Sequence, residues 1–125
     1  PDEREQIQRR LVEFVDWLNV SLIVTTGGTG FGPRDVTPEA TRGVIEREAP
    51  GLMEAMRAVT AQGNPLAWLS RGIAGLRGAT LIVNLPGSPQ GVAECLRVLL
   101  PLLPHAFEMI HSKEHAHGTP LGTGS

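Results

Sequence analysis

Two short glycine-rich strings are the places where this sequence could do chemistry. Gly27-Gly28-Thr29-Gly30 follows the apolar, β-branched run SLIVTT, and Pro86-Gly87-Ser88 follows ATLIVNL. Glycine lets backbone N–H groups come close to an anion, and the Thr29 and Ser88 hydroxyls add donors. Ser88 and Pro89 also form a helix start, and a helix N-terminus favours negative charge. Either string alone also reads as a tight turn; the pair points to a phosphate. Neither is a P-loop, because no Gly-Lys-Ser/Thr follows at the required spacing.

Asp35 lies five residues past Gly30. A carboxylate beside phosphates is unfavourable unless a divalent cation lies between them. Mg²⁺ is the usual one, held by one or two carboxylates and by phosphate oxygens. The competing reading is a surface Asp35 paired with its neighbour Arg34. Asp2, taken alone, reads as a solvated charge. Arg71 and Arg77 are either phosphate contacts or partners of surface carboxylates. His105, His111, His115 and His117 fall on a helix end and a polar tail with no cysteine nearby, which is the pattern of an exposed tail rather than a metal set. Cys95, in the helical string VAECLRVLL, reads as core packing.

The elements that must position these residues follow from periodicity. Ile7, Leu11, Phe14 and Leu18 recur at helical spacing and predict a helix over residues 3–18, with Asn19 as its stop. Residues 21–26 read as a buried parallel strand. Thr37 and Pro38 start a helix expected over residues 37–48, and a second is expected over residues 52–61. LAWLS is a further helical turn, and GIAGL and ATLIVNL are two β-like runs. A helix opened by Pro89 would bury Val92, Cys95, Leu96 and Leu99, and a last one would end near His111. Residues 113–125 read as a flexible tail. Strand, loop and helix in this order imply an α/β fold with a mainly parallel sheet. Residues 21–26 and 79–85 should be neighbours in it, with both glycine strings on one sheet edge, where ligands collect in such folds.

Composition narrows the function. A length of 125 residues suits one domain, and 41 % hydrophobic residues can form its core. With 4 % aromatic residues and a net charge of -2, a nucleic-acid partner is not expected. The charged start PDEREQIQRR and the lack of any long apolar stretch argue against a membrane. One cysteine excludes an intrachain disulfide and fits a cytoplasmic setting.

The strings TTGGTGFGPRDVTPEATRGVIEREAPG, LSRGIAGLRG and LIVNLPGSPQGVAECL, in that order, closely resemble the molybdenum-cofactor family. That family includes bacterial molybdopterin adenylyltransferases of the MoaB/Mog type and the G domain of gephyrin. The resemblance runs from Asp2 to about His105. It implies a three-layer α/β sandwich, with residues 1–112 as the C-terminal portion of a molybdopterin-binding domain that lacks the family's first strand and helix. It further implies a homotrimer, the substrates molybdopterin and ATP with Mg²⁺, and a molybdenum-insertion protein of the same pathway as partner. In the implied reaction the terminal phosphate of molybdopterin attacks the α-phosphate of ATP, giving adenylyl-molybdopterin and pyrophosphate. The family's two aspartates fall on Asp35 and Asp2, as catalytic and metal-binding residues. Gly27, Gly28, Thr29 and Gly30 would cradle a phosphate. Ser70, Gly75, Asn84, Pro86, Gly87 and Ser88 would form the rest of the ligand-binding rim. The alternative is a non-catalytic molybdopterin-binding or trimerising scaffold domain.

Overall fold

Strand β4 (Thr80–Leu85) is the axis of the fold, and all six of its residues are buried. Leu81, Val83 and Leu85 point into one layer while Ile82 points into another. A strand covered on both faces needs apolar side chains on both, and the continuous run LIV supplies them. β4 pairs in parallel with β1 (Leu22–Thr26), from Leu22 opposite Leu81 to Thr26 opposite Leu85. On its other side it pairs antiparallel with β3 (Ala74–Arg77), which pairs antiparallel with the two-residue β2 (Arg47–Glu48). The sheet order is therefore β1-β4-β3-β2.

This computed structural model, which describes residues 2–112, corrects one expectation: the sheet is mixed, not mainly parallel. The reason is the connection between β3 and β4. Only Gly78 and Ala79 separate them, and Gly78 takes φ 57°. A two-residue turn can join only antiparallel strands.

Helices cover both faces. On the Ile82 face lie α1 (Glu3–Val12), its π-helical continuation (Glu13–Trp17) and the segment after α2 (Thr37–Arg42). Leu11, Val15, Val44 and Ile82 form the core there. Asn19, at φ 53°, turns the chain out of this helix toward β1. On the other face α3 (Pro50–Gly63), α4 (Pro89–Leu99) and α5 (Leu103–Ile110) bury Met53, Met56, Cys95, Leu99 and Leu103 against Leu81, Val83 and Leu85. Short 3-10 helices, Pro65–Leu69 and Leu100–Leu102, lead away from α3 and into α5.

The helix expected over residues 37–48 is shorter than its sequence suggested. It stops at Arg42, Gly43 caps it, and the chain swings through Val44 into the edge strand β2. Thr37 is inside the helix and not its cap, because the carbonyl of Val36 accepts the first helical bond, from the Ala40 N–H at 2.9 Å. Pro50 opens α3 instead of interrupting a helix, as its fixed φ allows in a first turn. Among the described residues no helix is long and apolar enough to cross a membrane. The tail assigned to residues 113–125, with His115 and His117, lies outside the described residues.

Candidate functional site

Because β1 and β4 run in parallel and in register, the two glycine strings leave the sheet side by side. Gly27 N donates to Leu85 O at 3.0 Å, which splices the first string onto the end of β4. A Cβ built on Gly87 would lie 3.4 Å from the Gly27 Cα, so the two backbones are in contact. Gly27 and Gly28 take φ 85° and 70°, conformations that side chains oppose. A Cβ on Gly28 would also collide with the Thr37 hydroxyl.

Arg71 holds the first string in place. Its backbone N–H donates to Thr29 O at 2.8 Å, its Nε to Gly30 O at 2.7 Å and its Nη2 to Asp35 O at 2.6 Å. Its Nη1 pairs with Glu39. That hydrogen bond from Arg71 is the main reason the Glu39 carboxyl is held below its ordinary pKa, with the Arg4 charge a minor contributor. The other Glu39 oxygen, Oε1, is shielded from solvent and has no hydrogen-bond partner among the described residues. Of the two readings of Arg71, the structure displays the carboxylate partner; Arg77 likewise pairs with Asp16, which pushes its pKa up.

Asp35 does not pair with Arg34 among the described residues. Its Oδ2 instead accepts the Gly32 N–H at 2.9 Å, closing the loop that carries it. Asp2 is the N-cap of α1, accepting the Glu5 N–H at 2.9 Å. The first turn of α1 runs near α2, close enough for Arg4 to act on Glu39, four residues past Asp35. No group of three or more His, Cys, Asp or Glu that could hold a metal ion exists among the described residues.

Below the glycine strings opens a cavity of about 950 Å³. Thr29, Gly30, Ser70, Pro86, Gly87 and Ser88 line it, so six of the residues singled out from the sequence meet here, while Gly27 and Gly28 are not among its lining residues. Its walls come from Met53, Met56 and Thr60 of α3, from Leu66 and Leu69, and from the first turns of α4. Ser88 caps α4 by accepting the Gly91 N–H at 3.1 Å. The N-terminus of an eleven-residue helix therefore borders the cavity, a favourable site for an anion. Gly91 has to be small, since a Cβ there would lie 2.8 Å from both Pro86 and Ser88 side-chain atoms.

Gly75 and Asn84 are not brought to this rim. Asn84 has 0 % exposure and uses its whole amide inside the protein. Its Oδ1 accepts the Ile73 N–H, and its Nδ2 donates to the Thr25 and Thr41 hydroxyls. Gly75 pairs with Ile82 in mid-sheet, where a Cβ would strike Arg47 O and Ile45. Arg57 is the residue that the reading of the sequence missed. It lines the cavity and donates from Nε to Ser70 O at 2.9 Å and from Nη2 to Gly72 O at 2.6 Å. The available signal was a cation four residues after Met53, on the apolar side of α3. Cys95, also at the cavity wall, is buried, and burial pushes its thiol pKa up, as befits an inert packing residue.

Comparison with known proteins adds the ancestry. A family model described as "Probable molybdopterin binding domain" matches residues 1–105. The chain is 48 % identical over 110 residues to the molybdenum cofactor synthesis protein cinnamon of Drosophila melanogaster, covering 88 % of this chain and 18 % of that protein. It is 44 % identical over 109 residues to the molybdopterin adenylyltransferase of Helicobacter pylori, covering 87 % of this chain and 62 % of that protein. Among solved structures, the molybdopterin biosynthesis enzyme MoaB of Thermus thermophilus superposes with a TM-score of 0.82 at 53 % identity, covering 90 % of this chain and 71 % of the other. The chain thus spans less than two thirds of the length of the curated relatives it matches.

Proposed function

The chain belongs to the molybdopterin-binding domain family of molybdenum-cofactor biosynthesis, and on that premise we propose that it serves as a molybdopterin adenylyltransferase. The observation that carries the proposal is the contact between the two glycine strings at Gly27 and Gly87, with Thr29, Gly30, Gly87 and Ser88 lining a single cavity. Two strands deliver backbone N–H groups, hydroxyls and a helix N-terminus to one point, which suits a substrate with a phosphate at one end and a flat ring at the other.

In this reading residues 27–30 and 86–88 hold the molybdopterin phosphate with its attacking oxygen exposed at the cavity mouth. The ring lies deeper, against α3 and the Pro65–Leu69 helix. ATP approaches from the side of Asp35. The phosphate oxygen forms a bond to the α-phosphorus, the bond to the bridging oxygen breaks, and pyrophosphate leaves. Asp35 and Asp2 would hold Mg²⁺. Asp35 has an oxygen suited to that ion: one is taken by Gly32 and the other accepts no protein donor among the described residues, while Asp2 shares its carboxylate with the α1 cap. Mg²⁺ commonly binds through so few carboxylates, completing its shell with phosphate oxygens and water. When bound it would neutralise charge on the departing pyrophosphate. The molybdenum-insertion protein would receive the product, and the assembly is a homotrimer.

The test is product formation by the intact protein supplied with molybdopterin, ATP and Mg²⁺. Asp35→Asn keeps an acceptor for the Gly32 N–H and removes the charge. Loss of one preorganised charge interaction costs about 3 kcal/mol, so turnover should fall on the order of a hundredfold. Molybdopterin affinity should stay within about twofold, because no cradle group is altered, and 1.4 kcal/mol would be needed for a tenfold change. Near-normal turnover in this variant removes Asp35 from the mechanism. Tight molybdopterin binding without product from the unaltered protein would make the domain non-catalytic.

A further inference from the structure

The cavity lining combines polar groups, Thr29, Ser70 and Ser88 beside Gly30 and Gly87, with an apolar slot of Met53, Met56, Leu66 and Leu69. Thioether and aliphatic groups suit the face of a flat heterocycle but cannot tell one ring from another. Arg57 is the only cation among the described lining residues. Two of its nitrogens are committed to Ser70 O and Gly72 O, so the guanidinium is held in one orientation. Nη1 has no protein partner among the described residues and is not sealed from the cavity or solvent.

A fixed, charged donor in a largely apolar slot calls for an acceptor on the ligand. The phosphate end is already supplied with donors by the glycine strings and Ser88. Resting on the reading that molybdopterin occupies this cavity, we propose that Arg57 is a specificity-determining residue that recognises the carbonyl-bearing edge of the pterin ring. An arginine fork presents a planar set of donors that a lysine cannot reproduce. A site built to pair such an acceptor discriminates strongly against a ring lacking it, because the buried donor is then left unpaired.

Fluorescence titration of the intact protein with two rings tests this: pterin (2-amino-4-oxopteridine) and 2,4-diaminopteridine, which has an amino group where pterin has its carbonyl. At neutral pH both rings are uncharged. The unaltered protein should prefer pterin by about tenfold, the loss expected for one charged hydrogen bond. Arg57→Gln should bind both rings equally, and Arg57→Lys should keep only a weak preference. A merely structural role would weaken both rings together and leave their ratio unchanged. Binding of inorganic phosphate, titrated separately by calorimetry, should be unaffected in either variant. An unchanged ring ratio in both variants overturns the assignment, as does a selective loss of inorganic phosphate binding, which would place Arg57 on the phosphate. Binding of both rings with equal affinity by the unaltered protein defeats this inference alone. Binding of neither defeats it together with the proposed function.

Discussion

A buried amide stabilises a protein only when all its groups are used, and Asn84 uses them on three elements at once. Its bonds to Ile73, Thr25 and Thr41 tie β4 to the approach to β3, to β1 and to α2. Asn84→Ala should lower stability by about 2–4 kcal/mol in urea denaturation, since it strands buried partners and opens a void; a change below 0.5 kcal/mol would mean water takes its place. Strand parity could have revealed this position. Asn84 has the parity of Ile82 and so faces α1 and α2, while the cavity lies on the side of Val83 and Leu85. Gly75, paired with Ile82, is excluded from the rim by the same rule. The side-by-side placement of the two glycine strings and the Ser88 cap were legible because they follow from local pattern and parallel strand order. Arg57 was not, because its role depends on carbonyls more than a dozen residues away. Glu39 carries a pH signature. Its folded pKa lies below the ordinary 4.5, so its contribution to stability is present above that value and is lost as pH falls through the folded pKa. Glu39→Gln should therefore flatten the acid limb of the stability profile below about pH 4.5, measured by thermal melting. An unchanged acid limb would show the pair to be fully screened, as solvent allows for a side chain 44 % exposed.

At the scale of elements, the segment between the Pro65–Leu69 helix and β3 works as a clip. Arg57 grips it from α3, and Arg71, within it, grips the loop that carries Asp35. Arg71→Ala removes two side-chain bonds to backbone carbonyls and leaves Glu39 without its partner. We expect a loss of about 1–3 kcal/mol in stability. We also expect a fall in turnover even at temperatures where the variant is folded, because Asp35 is no longer held. Arg71→Lys should recover the charge but not the three-way grip. Full turnover in Arg71→Ala, measured well below its melting temperature, would show that the loop holds Asp35 unaided. The helix and strand errors share a physical cause. Val44 and Ile45 continue the apolar spacing of α2, but Gly43 ends it and the apolar pair turns into the core and its margin. β2 is only Arg47 and Glu48, too short and too charged to show any period. The sheet direction was misread because it was taken from the strand, loop and helix order, whereas the two residues between GIAGL and ATLIVNL make a hairpin.

For the whole molecule, the surface argues for assembly. Phe14, Trp17 and Leu18 are exposed where the first helix ends, Val59 and Trp68 on α3 and the 3-10 helix after it, and Phe31, Leu100, Leu102 and Met109 elsewhere along the chain. Trp17 is 79 % exposed and Trp68 58 % in the single chain. Large apolar patches on a domain usually mark contact surfaces. A closed ring of three copies needs a heterologous interface, in which one patch of each copy meets a different patch of the next. Apolar side chains exposed at separate places along the chain are compatible with that requirement. The proposed homotrimer therefore predicts that sedimentation of the intact protein gives three times the chain mass at micromolar concentration. It also predicts that tryptophan emission moves to shorter wavelength as the protein is concentrated through the assembly range. Trp17→Phe and Trp68→Phe, each leaving one reporter, should show the shift from both sites if the two surfaces meet each other. A shift from only one reporter would point to an interface built from one surface, and thus to two-fold assembly. Sedimentation as a monomer, with both tryptophans still emitting as in water, would remove the trimer and leave the two surfaces to other partners.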